Sequence, residues 1–174
     1  MKIAIIGGGW FGCHVGLECL KKGFEVDVLE QSKQIFSGAS GVNQNRLHLG
    51  FHYPRSYITR EQSKEGFDQF LRDYPSLAEK VDYNVYAIAQ EGSLIDFETY
   101  LQVMRVSGLN YLTHDPKVFD LQNVSGCLTC DERLIKTNEA RKYFENSELF
   151  KHVYLNSRVE EVSRKGNDKV MVNG

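Results

Sequence analysis

The feature that most constrains the fold lies in the first thirty residues, where a glycine-rich turn separates two apolar runs. The first run, residues 3–6, predicts a buried parallel strand, and the second predicts a strand that ends at Glu30. Between the runs, Gly7, Gly9 and Gly12 form the pattern G-x-G-x-x-G. These glycines permit a sharp turn, a close approach of a pyrophosphate to the backbone, and tight packing of a helix on the strand. The pattern therefore predicts a βαβ unit that binds an adenine dinucleotide at the start of its helix.

The acidic residue at the end of the second strand indicates which dinucleotide fits. The Glu30 carboxylate is placed to accept hydrogen bonds from a ribose hydroxyl, and its charge would repel a 2′-phosphate. The flanking residues agree with this interpretation, since Gly16 falls on the helix face toward the sheet and Gly23 follows two lysines at the helix end. The predicted ligand is an adenine dinucleotide without a 2′-phosphate.

Composition excludes several other classes of protein. The 21 Lys and Arg residues against 23 Asp and Glu give a net charge of -2, and no basic stretch could follow a phosphate backbone, so we expect no nucleic-acid partner. No apolar run approaches the roughly 20 residues of a membrane helix, so we expect no membrane association. The chain starts directly with a core strand, and we therefore expect a cytoplasmic protein.

The four cysteines do not form the framework of a disulfide-rich protein. Cys13 and Cys19 lie in the first predicted helix, where small buried side chains are expected. Cys127 and Cys130 form a C-x-x-C pair, which could be a redox pair or half of a zinc site. Because no second C-x-x-C or H-x-x-x-H completes a ligand set, we favour packing and predict no metal site.

The remaining pattern predicts a second layer of helices and strands after a polar segment without periodicity. Ser56 is the expected N-cap of a helix that ends near Tyr74. Further helices are predicted at 94–106 and at 138–148, the latter capped by Thr137. Strands are predicted at 81–89, from 111, at 118–124 and at 153–155. A hairpin is predicted over 158–172, with its turn at 165–168.

The connection from Glu30 to the next clear strand, near Val81, is long for a simple doubly wound domain. This length predicts an insertion. The predicted fold class is α/β: a Rossmann-like nucleotide-binding domain with a parallel sheet, plus part of an inserted α+β substrate domain. We divide the chain into an N-terminal nucleotide-binding part (1–50), a helical and α+β inserted segment (51–150) and a returning hairpin of the first domain (151–174).

The sequence GGGWFG, the acid at Glu30 and the loop GASGVNQNRLHLGFHYPRS together resemble the D-amino-acid oxidase-type branch of the FAD-dependent oxidoreductases. The resemblance implies that FAD is the cofactor. It implies that the glycine turn holds the pyrophosphate, that Glu30 holds the ribose, that Ser40 returns to the phosphates, and that Val159 gives a backbone contact to adenine. The full set of cofactor-binding residues that it predicts is Gly7, Gly9, Trp10, Phe11, Gly12, Glu30, Gln31, Ser32, Ser40, Asn45, Arg46, Leu47, His48 and Val159.

The loop after Ser40 is rich in hydrogen-bond donors, which a flavin ring needs to stabilise the negative charge that arrives with a hydride. The resemblance places Arg46, Leu47, His48 and Leu49 near the ring. The candidate catalytic or substrate-binding residues are His48, His52 and Tyr53, with Arg55 as a clamp for an anionic group.

The resemblance implies an FAD-dependent oxidoreductase that oxidises a small polar amine or hydroxyl substrate by hydride transfer. Members of that family are longer chains, so we interpret this sequence either as the N-terminal part of such an enzyme, incomplete and inactive alone, or as a short relative that takes the rest of the site from another chain. Two alternatives stay open at this point. One is an NAD-dependent Rossmann dehydrogenase, and the other is a truncated, non-catalytic nucleotide-binding domain that self-associates through an uncovered sheet edge.

Overall fold

The structure is a computed structural model, and it describes residues 1–165 and 169–173. Its strands are β1 (Lys2–Ile6), β2 (Glu25–Leu29), β3 (Arg46–Leu47), β4 (Ala78–Lys80), β5 (Asn84–Ala89), β6 (Tyr111–His114), β7 (Val124–Cys130), β8 (Arg133–Ile135), β9 (Val153–Tyr154), β10 (Glu161–Lys165) and β11 (Lys169–Asn173). The helices are α1 (Trp10–Lys21), α2 (Ala39–Val42), α3 (Tyr57–Asp73), α4 (Phe97–Val106) and α5 (Thr137–Glu145), with 3-10 turns at Pro75–Leu77, Pro116–Phe119 and Glu148–His152.

The chain divides into two compact units, residues 1–45 with 137–174 and residues 46–136. The inserted segment is predicted from the sequence at 51–150, whereas the second unit covers residues 46–136, so it begins a few residues earlier and ends well before the predicted boundary. Helix α5 thus belongs to the first unit, because it packs against the 3-10 turn that precedes β9.

The first unit is built around a parallel sheet with strand order β1-β2-β9. Val26 and Val28 of the central strand share one face of the sheet and are buried, whereas Asp27 and Leu29 on the opposite face are half-buried. Helix α1 crosses from β1 to β2, and Gly16 makes close packing possible, since a Cβ there would approach Leu149 to 2.8 Å. The edge strand β1 pairs with β2, and Ile6 at its end is 56% exposed.

The second unit contains two three-stranded sheets, β3-β8-β4 and β5-β7-β6, both with antiparallel pairing. Helix α4 supplies much of the core of this unit, because its apolar face follows helical spacing. The core residues are Phe51, Tyr100, Leu101, Met104, Leu109 and Leu128.

Most predicted elements are confirmed, with boundaries within a few residues. Ser56 caps α3 by accepting a hydrogen bond from the Thr59 amide, at 3.3 Å. The strand predicted at 118–124 is wrong: Asp115 caps a 3-10 turn there through the Lys117 amide, and Asp120 and Asn123 adopt positive φ, so strand β7 begins only at residue 124. The antiparallel pairing of β10 and β11 confirms the terminal hairpin, while residues 166–168 of its predicted turn lie outside the described residues.

The fold class predicted from the sequence is confirmed. A parallel sheet carries the glycine pattern, and an α+β segment is inserted between its second and third strands. The first unit therefore has the layout that positions a nucleotide at the carboxyl ends of the strands.

Candidate cofactor and active site

The glycine turn between β1 and α1 has the geometry of a dinucleotide-binding loop. Gly7 has φ of 103°, a conformation that L side chains rarely adopt, and its N–H donates to the Leu29 carbonyl at 2.8 Å. A Cβ at Gly12 would collide with the Gly7 carbonyl oxygen. Gly9 is the N-cap of α1 and has no side chain to cap the helix. The start of this 12-residue helix can therefore receive an anionic group.

Glu30 is fixed beside the glycine turn and is 8% exposed. Its Oε2 accepts a hydrogen bond from the Gly8 N–H at 2.7 Å, and its Oε1 accepts one from the Ser32 N–H at 2.8 Å. Each carboxylate oxygen can accept more than one hydrogen bond, so the pair of oxygens keeps capacity for ribose hydroxyls. The charge at this place disfavours a 2′-phosphate.

Ser40 comes back to the glycine turn although it lies far along the chain. Its Oγ accepts a hydrogen bond from the Trp10 N–H at 2.9 Å and lies 3.1 Å from the position that a Cβ of Gly9 would occupy. The Phe36 N–H donates to the Gly8 carbonyl at 2.9 Å, which ties the same segment to the turn. A hydroxyl, helix amides and a glycine thus meet at one place, as a pyrophosphate site requires.

The segment after β9 is hydrogen-bonded to the backbone of Glu30 and Ser32. The Ser157 N–H donates to the Glu30 carbonyl at 2.8 Å, and the Asn156 N–H donates to the Ser32 carbonyl at 3.0 Å. Val159, the predicted adenine contact, is half-buried two residues further on. Val159 thus lies two residues along the chain from a residue that is hydrogen-bonded to the Glu30 backbone, and its contact with adenine stays a prediction.

Other predicted residues of this unit lie at its surface or in its packing. Phe11 is 82% exposed, and Gln31 is exposed as well. The Trp10 ring makes edge contacts with Phe36 and Phe144, with centroids 5.7 Å apart in each case. The Trp10 side chain is thus part of the packing, while its backbone N–H contributes to the turn.

In the second unit, a hydrogen-bonded cluster surrounds the carboxylate of Glu132. Its side chain is fully buried and accepts hydrogen bonds from the Leu49 N–H at 2.8 Å and the Tyr86 hydroxyl at 2.8 Å. The Nδ1 atom of His48 lies 3.2 Å from Glu132 Oε2. His48 itself keeps 29% of its side chain exposed, so its ring is accessible from outside.

The hydrogen bonds to Glu132 keep it ionised. Burial is the largest single influence and raises the pKa of this carboxyl, but the hydrogen bonds from His48, Tyr86 and Leu49 together outweigh it and lower the pKa below its usual value. Burial, and then the charge of Glu132, raise the pKa of Tyr86, which therefore stays a hydrogen-bond donor.

Arg46 and Leu47 precede this cluster on β3. Arg46 donates to the side-chain oxygen of Asn84 at 2.6 Å, and its guanidinium lies 5.3 Å from the centroid of the Tyr86 ring. Asn84 in turn donates to the Glu132 carbonyl. Leu47 is buried. Asn45 has a φ of 53° and lies directly before β3, outside the strand.

His48, His52 and Tyr53, three of the predicted catalytic residues, come together. The ring centroids of His48 and His52 are 5.9 Å apart, and those of His52 and Tyr53 are 5.5 Å apart. The buried Arg60 orients the loop, because its Nη1 donates to the carbonyls of Tyr53 and Pro54 at 2.9 and 2.8 Å. Arg55, the fourth predicted residue, is exposed.

Sequence reasoning missed Glu132, Tyr86, Asn84 and Arg60. Glu132 lies 84 residues from His48, and only the pairing of β3 with β8 brings the two together. Asp131 and Glu132 follow Cys130 directly, and no pattern in the neighbouring sequence indicates that Glu132 is buried beside a histidine. Arg60 could have been noticed as a charged residue on the apolar side of α3.

The C-x-x-C cysteines lie on β7 as free thiols. Burial raises the pKa of Cys130 to about 12 and raises that of Cys127, so both stay protonated. Among the described residues, no group of three or more His, Cys, Asp or Glu side chains is arranged to hold a metal ion.

Within the part of the chain that the structure describes, no helix has the length and apolar character needed to cross a membrane.

The glycine turn, the buried Glu30 carboxylate and the Ser40 hydroxyl give the first unit the features of a dinucleotide-binding domain of the type found in flavoenzymes. The family described as FAD dependent oxidoreductase matches residues 2–166. The chain belongs to this family, whose cofactor is FAD, and the NAD-dependent alternative is set aside.

The relatives support this assignment. The chain is 40% identical over 173 residues to the FAD-dependent monooxygenase FPY4 of Fusarium mangiferae, covering 99% of this chain and 46% of the relative. It is 31% identical over 170 residues to the FAD-dependent monooxygenase kojA of Aspergillus flavus, covering 93% of this chain and 40% of that protein. The chain thus spans less than half the length of these two curated relatives.

The fold is similar to that of L-alpha-glycerophosphate oxidase from Mycoplasma pneumoniae, whose structure was solved in the dithionite-reduced form with FAD bound. The TM-score is 0.78 at 17% sequence identity, and the match covers 98% of this chain and 48% of the oxidase. At this identity the similarity establishes the fold.

Proposed function

We propose that this chain forms the nucleotide-binding part of an enzyme that oxidises a small polar substrate at a C–H next to an amine or a hydroxyl. FAD supplies the hydride acceptor when it is bound. The observation that carries the proposal is the arrangement around Gly8 and Gly9, where the Glu30 carboxylate and the Ser40 hydroxyl meet the start of α1, whose N-cap residue Gly9 has no side chain. These groups fit the ribose and the pyrophosphate of the cofactor.

The chain's own residues have distinct roles in this proposal. Glu30 binds the ribose, and Gly9 and Ser40 admit the phosphates. The roles predicted for Arg46, Leu47 and His48 toward the flavin ring stay predictions. On the substrate side, His48, His52 and Tyr53 supply groups that exchange protons or hydrogen bonds, and Arg55 supplies a positive charge for an anionic group.

Anaerobic flavin reduction tests this function. The protein, expressed from its complete reading frame and loaded with FAD, is mixed with L-glycerol 3-phosphate, glycine and small 2-hydroxy acids in the absence of oxygen. We expect at least one of these substrates to bleach the flavin absorption band, because hydride transfer removes the oxidised chromophore. An FAD-loaded protein that none of them reduces would contradict the proposed substrate class.

Monooxygenation is a second candidate, because both curated relatives described above bear the name FAD-dependent monooxygenase. The two reactions differ in the fate of oxygen. Oxidation of the substrate by hydride transfer, with O2 as acceptor, releases hydrogen peroxide in equal amount to product. A monooxygenase instead incorporates one oxygen atom, so 18O from labelled O2 would appear in the product and an external reductant would be required.

A further inference from the structure

We propose that Glu132 is a positioning residue that holds His48 with a proton on Nδ1, so that Nε2 accepts the proton of a hydroxyl substrate. The inference rests on the proposed function and deepens it, because it selects the hydroxyl class over the amine class. It also assigns a role to the buried carboxylate, which the roles described so far leave unused.

The strand register places the two residues opposite each other. In the antiparallel pair of β3 and β8, Arg46 faces Leu134 and Leu47 faces Arg133. One residue beyond this pair, the same register places His48 opposite Glu132. The Nδ1 atom of His48 lies 3.2 Å from Oε2 of Glu132. The contact is therefore a product of the backbone pairing and does not depend on a long side chain finding its partner at the surface.

The carboxylate fixes the location of the imidazole proton. An ionised Glu132 only accepts hydrogen bonds, so the Nδ1 of His48 must donate to it. The Tyr86 hydroxyl is 3.4 Å from the same nitrogen, farther than the carboxylate oxygen, and it already donates to Glu132. With Nδ1 protonated, the neutral imidazole carries its lone pair on Nε2.

The surroundings of Glu132 make it a rigid support. The Leu49 N–H binds its second oxygen, and Asn84 binds its backbone carbonyl while also binding Arg46. The Phe51 ring stacks on the Tyr86 ring at 5.6 Å, which fixes the phenol that donates to the carboxylate. Hydrogen bonds and packing that fix the partner of a base in this way keep the base within productive geometry.

An acceptor at Nε2 matters for alcohols in particular. When a hydroxyl substrate is oxidised, the C–H bond breaks and its electron pair leaves with hydrogen as a hydride to the flavin. The O–H bond also breaks: its electron pair forms the new carbonyl bond, and the proton goes to Nε2 of His48. A neutral amine can lose a hydride before it loses a proton, so it depends less on such a base. The pair of His48 and Glu132 therefore favours a hydroxyl substrate.

Histidine tautomers provide the test, and they do not depend on turnover. In the FAD-loaded protein from the complete reading frame, labelled with 15N-histidine, the His48 resonances are assigned by their absence in His48→Asn. We expect the proton on Nδ1 in the wild type. In Glu132→Gln the amide can donate to Nδ1, so the proton should move to Nε2. A wild-type His48 with its proton on Nε2 overturns the proposal whether or not any variant folds.

Kinetics give the second arm. With the hydroxyl compound that best reduces the flavin, kcat of Glu132→Gln should fall about 100-fold or more, with KM changed less than about threefold. Glu132→Asp keeps the charge and should restore part of the rate. Glu61→Gln is the matched control, since Glu61 pairs with the half-exposed Lys64 one turn along α3, and it should change neither tautomer nor kcat. A folded Glu132→Gln protein with unchanged tautomer and kcat would overturn the proposal.

Tyr86→Phe separates the two neighbours of His48. It removes the phenol hydroxyl and leaves the carboxylate, so the proton should stay on Nδ1. Loss of that proton would mean that Tyr86, and not Glu132, positions the ring. Flavin reduction by the substrate panel reports on the proposed function alone, whereas the wild-type tautomer reports on Glu132 alone, so the failure of one is distinguishable from the failure of the other.

Discussion

At the scale of single residues, Glu30 links the sequence pattern to the choice of cofactor. The pattern predicted its position, and the structure adds that both carboxylate oxygens are fixed by backbone N–H groups of Gly8 and Ser32. This pre-orientation lowers the cost of binding, because the side chain has little freedom left to lose. Glu30 therefore supports the glycine turn, and its remaining acceptor capacity is what the proposed ribose contact would use.

Replacement of Glu30 tests that role. We expect Glu30→Ala to weaken FAD binding by about 1–3 kcal/mol, or roughly 5- to 150-fold, because a charge-assisted hydrogen bond to ribose is lost. Glu25→Ala, an exposed position at the start of the same strand, is the control and should bind like the wild type. Calorimetric titration with FAD measures the affinity of each variant. Equal affinities for the two variants would show that Glu30 does not contribute to FAD binding.

At the scale of elements, the packing of α1 against β1 depends on glycine, and a matched pair of substitutions shows it. A Cβ at Gly12 would meet the backbone carbonyl of Gly7, whereas a Cβ at Gly66, in the middle of α3, would meet nothing within 4 Å. We expect Gly12→Ala to lower the free energy of unfolding by about 1–3 kcal/mol. Gly66→Ala should raise it by about 0.5–1 kcal/mol, since alanine is the better helix former.

Urea unfolding of both variants measures these changes in the free energy of unfolding. The two substitutions should change the free energy of unfolding in opposite directions. A Gly12→Ala protein as stable as the wild type would mean that the helix does not approach the strand as closely as the structure has it.

The elements also show where sequence reasoning succeeds. Helix α3 was predictable because Ser56, a good N-cap, and the Tyr74-Pro75 break lie at its ends. The strand predicted at 118–124 failed because Asp115 and the left-handed Asp120 form a local turn that overrides the apolar pattern. The partnership of His48 with Glu132 was beyond prediction, since it arises from pairing between distant strands.

At the scale of the whole molecule, the local signals were sufficient for the fold class, because a glycine turn and an acid fix the βαβ unit within thirty residues. The position of the inserted unit's boundaries was not predictable to the residue, as it depends on how α5 packs. Self-association through an uncovered sheet edge, which the sequence suggested, stays a prediction.

The most direct test of the central claim is a titration of the purified protein, expressed from its complete reading frame, with FAD while its visible absorption is recorded. We expect a yellow protein that binds one equivalent of FAD, because the glycine turn, Glu30 and Ser40 are proposed to form a single nucleotide site. A protein that is colourless after purification and takes up no added FAD would contradict it.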